Sequence, residues 1–420
     1  MKKFIFNHKS NQYFFNGDSI ELFKIKDTSQ ISKINFESPK EIDSHRANGF
    51  KTLTLVLTNN CNLKCSYCYA NKGAYNKKGF VMSSETGKKS IDLLLESILN
   101  QNLSEGEITF FGGEPLLEKT LLINLLEYSS NKFISNKKKI KYTIITNGTL
   151  LDLEIIQLIK KYEISVIVSL DGDENIHNKN RITLDGKGSF NKIISNIEIL
   201  KKNKIEPIIR ITFSDGNEDS LNVIKSLHEK YNLNLFSYDY DSNMSDKSFK
   251  YFLESLDSLY EYYFEKIKGE DYFNIFEITN NIGFILNRLR KNFHCSCGVA
   301  YLTVSADGFV YQCQRFIGKE KYVEKDIQKL KLDDLNKQKN CYKNNLLIPS
   351  NCQQCEFQYV CGGTCFHNRK ENFQINNRDC MYKKNDIINS LRFLTELYSD
   401  ENIFRKYIHF LKGGEIKNEL

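Results

Sequence analysis

The sequence predicts an α/β fold, a partial (β/α)6 TIM-like barrel followed by a cysteine-rich module. Two observations carry this. Between residues 51 and 240, six short β-rich runs alternate with helical patterns: LTLVL at 53–57, EITFF at 107–111, KYTIIT at 141–146, ISVIVSL at 164–170, PIIRITF at 207–213 and LNLFSYDY at 233–240. Strands separated by helices pair in parallel through right-handed crossovers. The 12 cysteines fall into two groups, Cys61, Cys65 and Cys68 in the first and all others between Cys295 and Cys380.

At 420 residues, 40% of them hydrophobic, the chain can bury a large core and carry more than one domain. Its net charge of +7 is spread along Lys- and Asn-rich helices. This describes a solvated surface and gives no reason to expect nucleic acid as a partner. No early stretch has the form of a secretion signal, and no apolar run reaches membrane-spanning length. The expectation is a cytoplasmic protein without a membrane partner, in a reducing compartment where thiols meet metals.

Taken in order, residues 1–50 begin with KFIFNHKSNQYFFNGDSIELFKI, whose Asn16-Gly17 turn signal predicts a small β-hairpin unit. It could serve as a peptide-docking element or as an edge hairpin over the barrel. Residues 51–245 form the barrel. Each strand end is followed by something polar or glycine-rich, where such folds place their chemistry. Residues 246–290 read as a helical bridge, 291–382 as the cysteine-rich domain, and 383–420 as a C-terminal helix with Ile, Leu and Phe at helical spacing.

The run CNLKCSYCY supplies three thiols in a CxxxCxxC pattern. A structural zinc site draws on four protein ligands, whereas three cysteines leave one coordination position for another molecule. This loop resembles that of the radical S-adenosylmethionine (SAM) enzymes, in which Cys61, Cys65 and Cys68 would hold three irons of a [4Fe-4S] cluster and SAM the fourth. Other motifs extend the resemblance. Tyr67 occupies the place of the aromatic residue beside the adenine. Gly112, Gly113, Glu114 and Pro115 match the GGE motif, whose backbone and carboxylate would receive the SAM amino group. Asn147 and Ser169 resemble positions contacting its methionyl and ribose parts, and Arg181 resembles the arginine that pairs with its carboxylate. Taken singly, each of these also reads as a turn former or a surface charge. His177 reads as structural, and Arg210 could face the lumen.

Cys297-x10-Gly308-x4-Cys313, then Cys352-x2-Cys355-x5-Cys361-x3-Cys365 and Cys380, is similar to the seven-cysteine SPASM pattern of radical SAM enzymes that mature peptides and proteins. The resemblance implies two auxiliary clusters, the first on Cys297, Cys313 and Cys365 and the second on Cys352, Cys355, Cys361 and Cys380. Cys295 is the better candidate for a fourth ligand of the first, with a substrate thiolate as the alternative. Cys341 reads as a free thiol. The cofactors implied are SAM and three [4Fe-4S] clusters. The partners implied are a precursor peptide and a reductant such as flavodoxin or ferredoxin.

Sulfatase-maturing relatives carry aspartate immediately after the cysteine matching Cys313, but this chain has Gln314, which cannot act as a base. The surrounding run GFVYQCQRFIG instead looks like that of the enzymes that install thioether or carbon cross-links in ribosomally made peptides, and the activity this resemblance implies first is thioether cross-linking, as in sactipeptide or ranthipeptide maturation. The alternatives are carbon-carbon cross-linking, formylglycine generation in sulfatases, or a non-catalytic iron-sulfur or zinc protein.

Overall fold

A central parallel sheet organises the chain because its strands are apolar on the side that meets the helices. The structure is a computed structural model and describes residues 2–41, 50–75, 79–335, 349–369 and 375–413. Its strands in chain order are β1 (Lys3–His8), β2 (Asn11–Asn16), β3 (Glu21–Ile25), β4 (Lys40–Glu41), β5 (Thr52–Val56), β6 (Glu105–Phe111), β7 (Lys139–Thr146), β8 (Ser165–Ser169), β9 (Ile208–Phe213), β10 (Leu235–Tyr240), β11 (Asn274–Ile275), β12 (Leu289–Arg290), β13 (Tyr301–Val304), β14 (Phe309–Tyr311) and β15 (Val323–Asp326). The principal helices are α1 (Ser84–Asn100), α2 (Lys119–Ser135), α3 (Leu153–Lys161), α4 (Glu174–Asn180), α5 (Phe190–Lys202), α6 (Ser220–Tyr231), α7 (Asp246–Lys268) and α8 (Phe276–Leu286), followed by Asn377–Ser399 and Glu401–Leu411.

The main sheet runs β11-β10-β9-β8-β7-β6-β5-β13-β14-β15. All pairings from β11 to β13 are parallel, and only β13-β14-β15 is antiparallel. The six strands expected from the sequence are thus neighbours in chain order. The cysteine-rich segment continues the same sheet, with Tyr301–Val304 lying beside β5. In β9, Ile209, Ile211 and Phe213 are fully buried, alternating with the half-buried Ile208, Arg210 and Thr212 on the other face. Alternation of this kind places a polar lining opposite a hydrophobic backing. That backing meets Leu94, Leu125, Ile193, Ile197 and Leu227 of the surrounding helices in one continuous core.

The helices begin where the sequence supplies caps. Ser83, Asp152, Asp173, Asp219 and Ser245 each accept a backbone N–H in the first turn of α1, α3, α4, α6 and α7. The C-terminal helices pack on α7, with Phe393 stacked on Tyr263 and Tyr407 against both rings. Between them the buried carboxylate of Asp386 accepts from Tyr260 Oη at 2.7 Å and from Asn281 Nδ2 at 2.7 Å.

The N-terminal unit is a three-stranded antiparallel sheet, larger than the expected hairpin. The Asn16-Gly17 signal marks the β2–β3 connection, and a tighter turn at Lys9–Ser10 adds β1. This sheet packs on the cysteine-rich segment. Phe4 and Phe15 lie 4.9 and 6.1 Å from the Phe357 ring. Lys2 hydrogen-bonds Gln358, and His8 and Lys9 both meet Glu396 at 2.5 Å. A Cβ on Gly17 would lie 1.8 Å from the Glu356 carbonyl oxygen. Gly17→Ala is therefore expected to destabilise the protein by about 1–3 kcal/mol through overpacking against rigid backbone. The change should appear as a lower urea midpoint and faster proteolysis within residues 2–25.

Candidate functional site

The first cysteine loop leaves β5 and is held at its edges by backbone hydrogen bonds. Gly113 N–H donates to Thr58 O at 2.9 Å and Glu114 N–H to Asn60 O at 2.9 Å, tying the loop to the end of β6. On the other side, Lys64 N–H donates to Ile182 O at 2.8 Å and Ser66 N–H to Asn180 O at 3.0 Å. A Cβ on Gly113 would stand 2.2 Å from Asn60 O, so the glycine is required for the two loops to touch. Beside this loop is a cavity of about 670 Å³ lined by Asn59, Asn60, Cys61, Asn71, Lys72, Ala74 and Leu184.

Glu114 faces inward. Its carboxylate accepts from Thr146 Oγ1 at 2.7 Å, Asn147 N at 2.7 Å and Leu116 N at 3.1 Å, and the side chain is fully buried. Burial pushes its pKa up to about 7, although these donors oppose the shift. The carboxylate expected to receive an amino group thus also joins β6 to β7. Asn147 follows, its Nδ2 2.8 Å from Asn62 Oδ1 and 3.9 Å from Cys61 Sγ. Ser169 is half-buried at the end of β8, in register with Arg210.

Asp171 organises the opposite wall. Its Oδ2 accepts from Arg181 Nε at 2.8 Å and from the Tyr67 hydroxyl, and its Oδ1 accepts from Thr212 N at 2.9 Å. Arg181 lies 5.3 Å from the centre of the Tyr67 ring and points Nη1 at Cys65 Sγ, 3.9 Å away. Burial works against the guanidinium charge. Asp171, Tyr67 and Cys65 more than offset it and hold the arginine pKa above its ordinary value. The arginine expected to pair with a ligand carboxylate therefore already has a carboxylate partner on Nε. His177 is buried, its Nδ1 accepting from Asp171 N at 3.3 Å and its Nε2 2.9 Å from Ser189 Oγ. Burial lowers its pKa to about 4.

Two further thiol sets occupy the C-terminal segment. Cys295 and Cys297 share a thiol hydrogen bond, which holds Cys295 below and Cys297 above the ordinary thiol value. Cys313 and Cys365 lie within electrostatic reach of this pair. Arg315 Nη1 stands 3.7 Å from Cys365 Sγ. Cys352, Cys355, Cys361 and Cys380 line a second, small cavity with Phe357, Lys383 and Lys384. The turn after Cys361 needs Gly362 at φ +69°, where a Cβ would lie 2.4 Å from Phe293 O. Cys341 lies outside the described residues.

The donor set fits iron-sulfur ligation. Burial pushes the thiols of Cys61, Cys313 and Cys352 up to about 12, so each needs a cation to become a thiolate. Among the described residues, no three His, Cys, Asp or Glu side chains stand close enough to hold one metal ion. A four-iron cluster gives each thiolate its own iron and does not require convergence on one point.

Residues 55–227 match the family described as the Radical SAM superfamily, so the barrel is a radical SAM domain, and the similar proteins include enzymes. Among similar proteins is the radical SAM cyclopropyl synthase TigE of Paramaledivibacter caminithermalis, 29% identical over 84% of this chain and 73% of that protein. Another is a cysteine-type anaerobic sulfatase-maturating enzyme of Clostridium novyi, 25% identical over 79% of this chain and 92% of its own. The fold is shared with native anSMEcpe with bound AdoMet, at a TM-score of 0.70 and 22% identity over 82% of this chain and 98% of that one. Streptococcus suis SuiB bound to precursor peptide SuiA is similar at a TM-score of 0.58 and 15% identity over 90% of this chain and 98% of that one. No described helix is long and apolar enough to cross a membrane.

Sequence reading gave no role to Asp171 or Arg315. Asp171 lies in an Asp-Gly pair after a strand, and Arg315 stands two positions after a cysteine. Each was visible only as a neighbour of residues already singled out. Asp171→Ala would leave the Arg181 charge buried and unpaired and is expected to cost about 3–5 kcal/mol in anaerobic urea unfolding of the apoprotein. His177 is neutral in the folded state down to about pH 4, against its ordinary 6.5. Its contribution is therefore complete above pH 6.5 and lost as pH falls towards 4, a swing of roughly 3 kcal/mol. Stability measured across that window should fall less steeply in His177→Asn.

Proposed function

We propose that this chain is a radical SAM peptide maturase that forms a thioether from a cysteine of a ribosomally made precursor peptide. The observation that carries the reading is the gathering of the described thiols into a set of three and two sets of four, with glutamine beside Cys313. Cys61, Cys65 and Cys68 would hold the cluster that binds SAM. Cys295, Cys297, Cys313 and Cys365 would hold one auxiliary [4Fe-4S] cluster, and Cys352, Cys355, Cys361 and Cys380 the other. A cluster held by these residues, with SAM bound, would supply the radical chemistry that removes hydrogen from a carbon of the peptide.

The chain's own contribution is placement and shielding. The Gly112–Gly113 backbone, Tyr67, Asn147, Ser169 and Arg181 would line the SAM position. Glu114 acts through its strand-joining carboxylate, which holds the Gly112–Gly113 turn in place. Arg181 keeps a positive charge beside Cys65 and Asp171 keeps that arginine oriented. Gln314 Oε1 accepts from the Tyr301 hydroxyl, and Cys313 Sγ lies 3.4 Å from it. An amide so placed orients its neighbours but takes up no proton. The electron source would be a small reductant such as flavodoxin or ferredoxin, and the reaction would run in the cytoplasm.

Two other readings have specific support. Similarity to TigE, whose name denotes cyclopropane synthesis, favours formation of a carbon-carbon bond. Similarity to the sulfatase-maturating enzymes favours formylglycine generation, against which stands Gln314.

Anaerobic reconstitution should give about twelve irons per chain and about eight after replacement of Cys61, Cys65 and Cys68 by alanine. The intact protein with SAM and dithionite should release 5′-deoxyadenosine, and the triple variant should release none. With a cysteine-containing precursor, a thioether removes a thiol from alkylation, a carbon-carbon link leaves the thiol free, and formylglycine is captured by hydrazine. Absence of 5′-deoxyadenosine from iron-loaded protein would overturn the reading.

A further inference from the structure

Tyr67 and Tyr69 flank Cys68, and each carries an arginine on its ring. Arg181 lies 5.3 Å from the Tyr67 centroid and Arg315 lies 5.6 Å from that of Tyr69. Both arginines point Nη1 at a sulfur, Arg181 at Cys65 in the first set at 3.9 Å and Arg315 at Cys365 in the second at 3.7 Å. The same three-part contact of tyrosine ring, guanidinium and thiol sulfur thus occurs on both sides of one cysteine.

The two copies differ in their counter-charge. Arg181 pairs at 2.8 Å with Asp171, whose side chain is fully buried. Arg315 feels two carboxylates, Asp239 on β10, whose side chain is 40% exposed and also meets Arg210 at 3.5 Å, and the buried Asp379, which accepts from the Tyr240 hydroxyl. Solvent and Arg210 weaken the hold of Asp239, and the Tyr240 hydroxyl shares Asp379, leaving more of the Arg315 charge available to the sulfur beside it. Nη1 of Arg315 is fixed by Asn368 Oδ1 at 3.2 Å, and the residue sits on the short 3₁₀ turn Gln314–Phe316 that begins at Cys313. A planar, forked cation can meet sulfur, amide and ring together, whereas an ammonium on a flexible stem cannot hold all three.

We propose that Arg315 is a positioning residue that raises the reduction potential of a cluster held by Cys295, Cys297, Cys313 and Cys365 and ties that site to the Cys61 loop through Tyr69. The inference rests on the auxiliary-cluster reading above. A hydrogen-bond donor and positive charge at a ligating sulfur stabilise the reduced, more negative cluster. Arg369 is felt by Cys295 of this set and by Cys352 of the other, so its charge is common to both auxiliary sites, whereas Arg315 acts on this one and makes it a better electron acceptor than it would be without that charge. Tyr69 supplies the mechanical link between the loop where a radical would be generated and the site that would take up an electron.

The test is an EPR-monitored redox titration of reconstituted protein lacking Cys61, Cys65 and Cys68, so that only auxiliary clusters contribute. Arg315→Gln is expected to lower one of the two midpoints by about 59 mV, a tenfold change in the reduced-to-oxidised ratio of a one-electron couple, and to leave the other in place. Arg315→Lys keeps the charge but loses the fork and should give a smaller shift in the same direction. Tyr69→Leu should also give a partial shift, because it releases the guanidinium without touching a thiol. Iron content equal to that of the parent protein certifies assembly, and the lysine variant provides the measurement if the glutamine variant does not assemble. Unmoved midpoints in iron-loaded Arg315→Gln or, failing its assembly, Arg315→Lys overturn the proposal. Absence of any cluster in the background protein instead overturns the reading on which it rests.

Discussion

The pairing of Asp171 with Arg181 is the interaction on which the rest of the site depends. Two opposite charges removed from water are tolerated only when their remaining donors and acceptors are satisfied. Here satisfaction comes from several elements, with Tyr67 reaching from the cysteine loop, Thr212 offering its amide from β9 and Asp171's own amide meeting His177. Because each partner belongs to a different segment, the pair fixes the relative positions of the first loop, the β8 end and the segment after α4. Cys65 inherits its place from this arrangement through Arg181. Glu114 plays the matching part on the other wall, where its carboxylate gathers donors from the residues that end β7.

Much of the architecture was legible in the sequence because its signals are local. Apolar runs such as PIIRITF mark strands. The cysteine spacings separate the thiols into groups without any knowledge of the fold. What stayed hidden depends on contacts between distant residues. GGEP reads as a turn, yet the inward aim of Glu114 follows from the neighbouring β7, whose Thr146 supplies a donor. The joining of Tyr301–Val304 to β5 cannot be inferred from a four-residue run. The seat of Phe4 and Phe15 on Phe357 links two segments far apart in sequence, where no periodicity connects them.

The comparisons and the residues bear on different questions. The family match over residues 55–227 establishes that the barrel is a radical SAM domain, and the proteins similar to most of the chain, TigE and the sulfatase-maturating enzymes, are catalytic. Choice among their chemistries rests on individual side chains, which global identity does not weigh. Gln314 is the clearest case. Held by the Tyr301 hydroxyl beside Cys313, it occupies a position where the chain places an orienting amide and no proton acceptor.

The seating of the N-terminal sheet also bears on how the molecule is made. Residues 3–25 leave the ribosome well before the surface that covers Phe4 and Phe15, which is centred on Phe357 and becomes available only after that residue has been synthesised. Contacts of such long sequence separation are slow to form, and an unpaired aromatic sheet waiting for its partner is open to wrong associations. Phe357 lies between Cys355 and Cys361, in a loop that lines the second thiol cavity. Burial of the N-terminal sheet is therefore coupled to the arrangement of that loop, and a segment translated much later completes the burial of an earlier one.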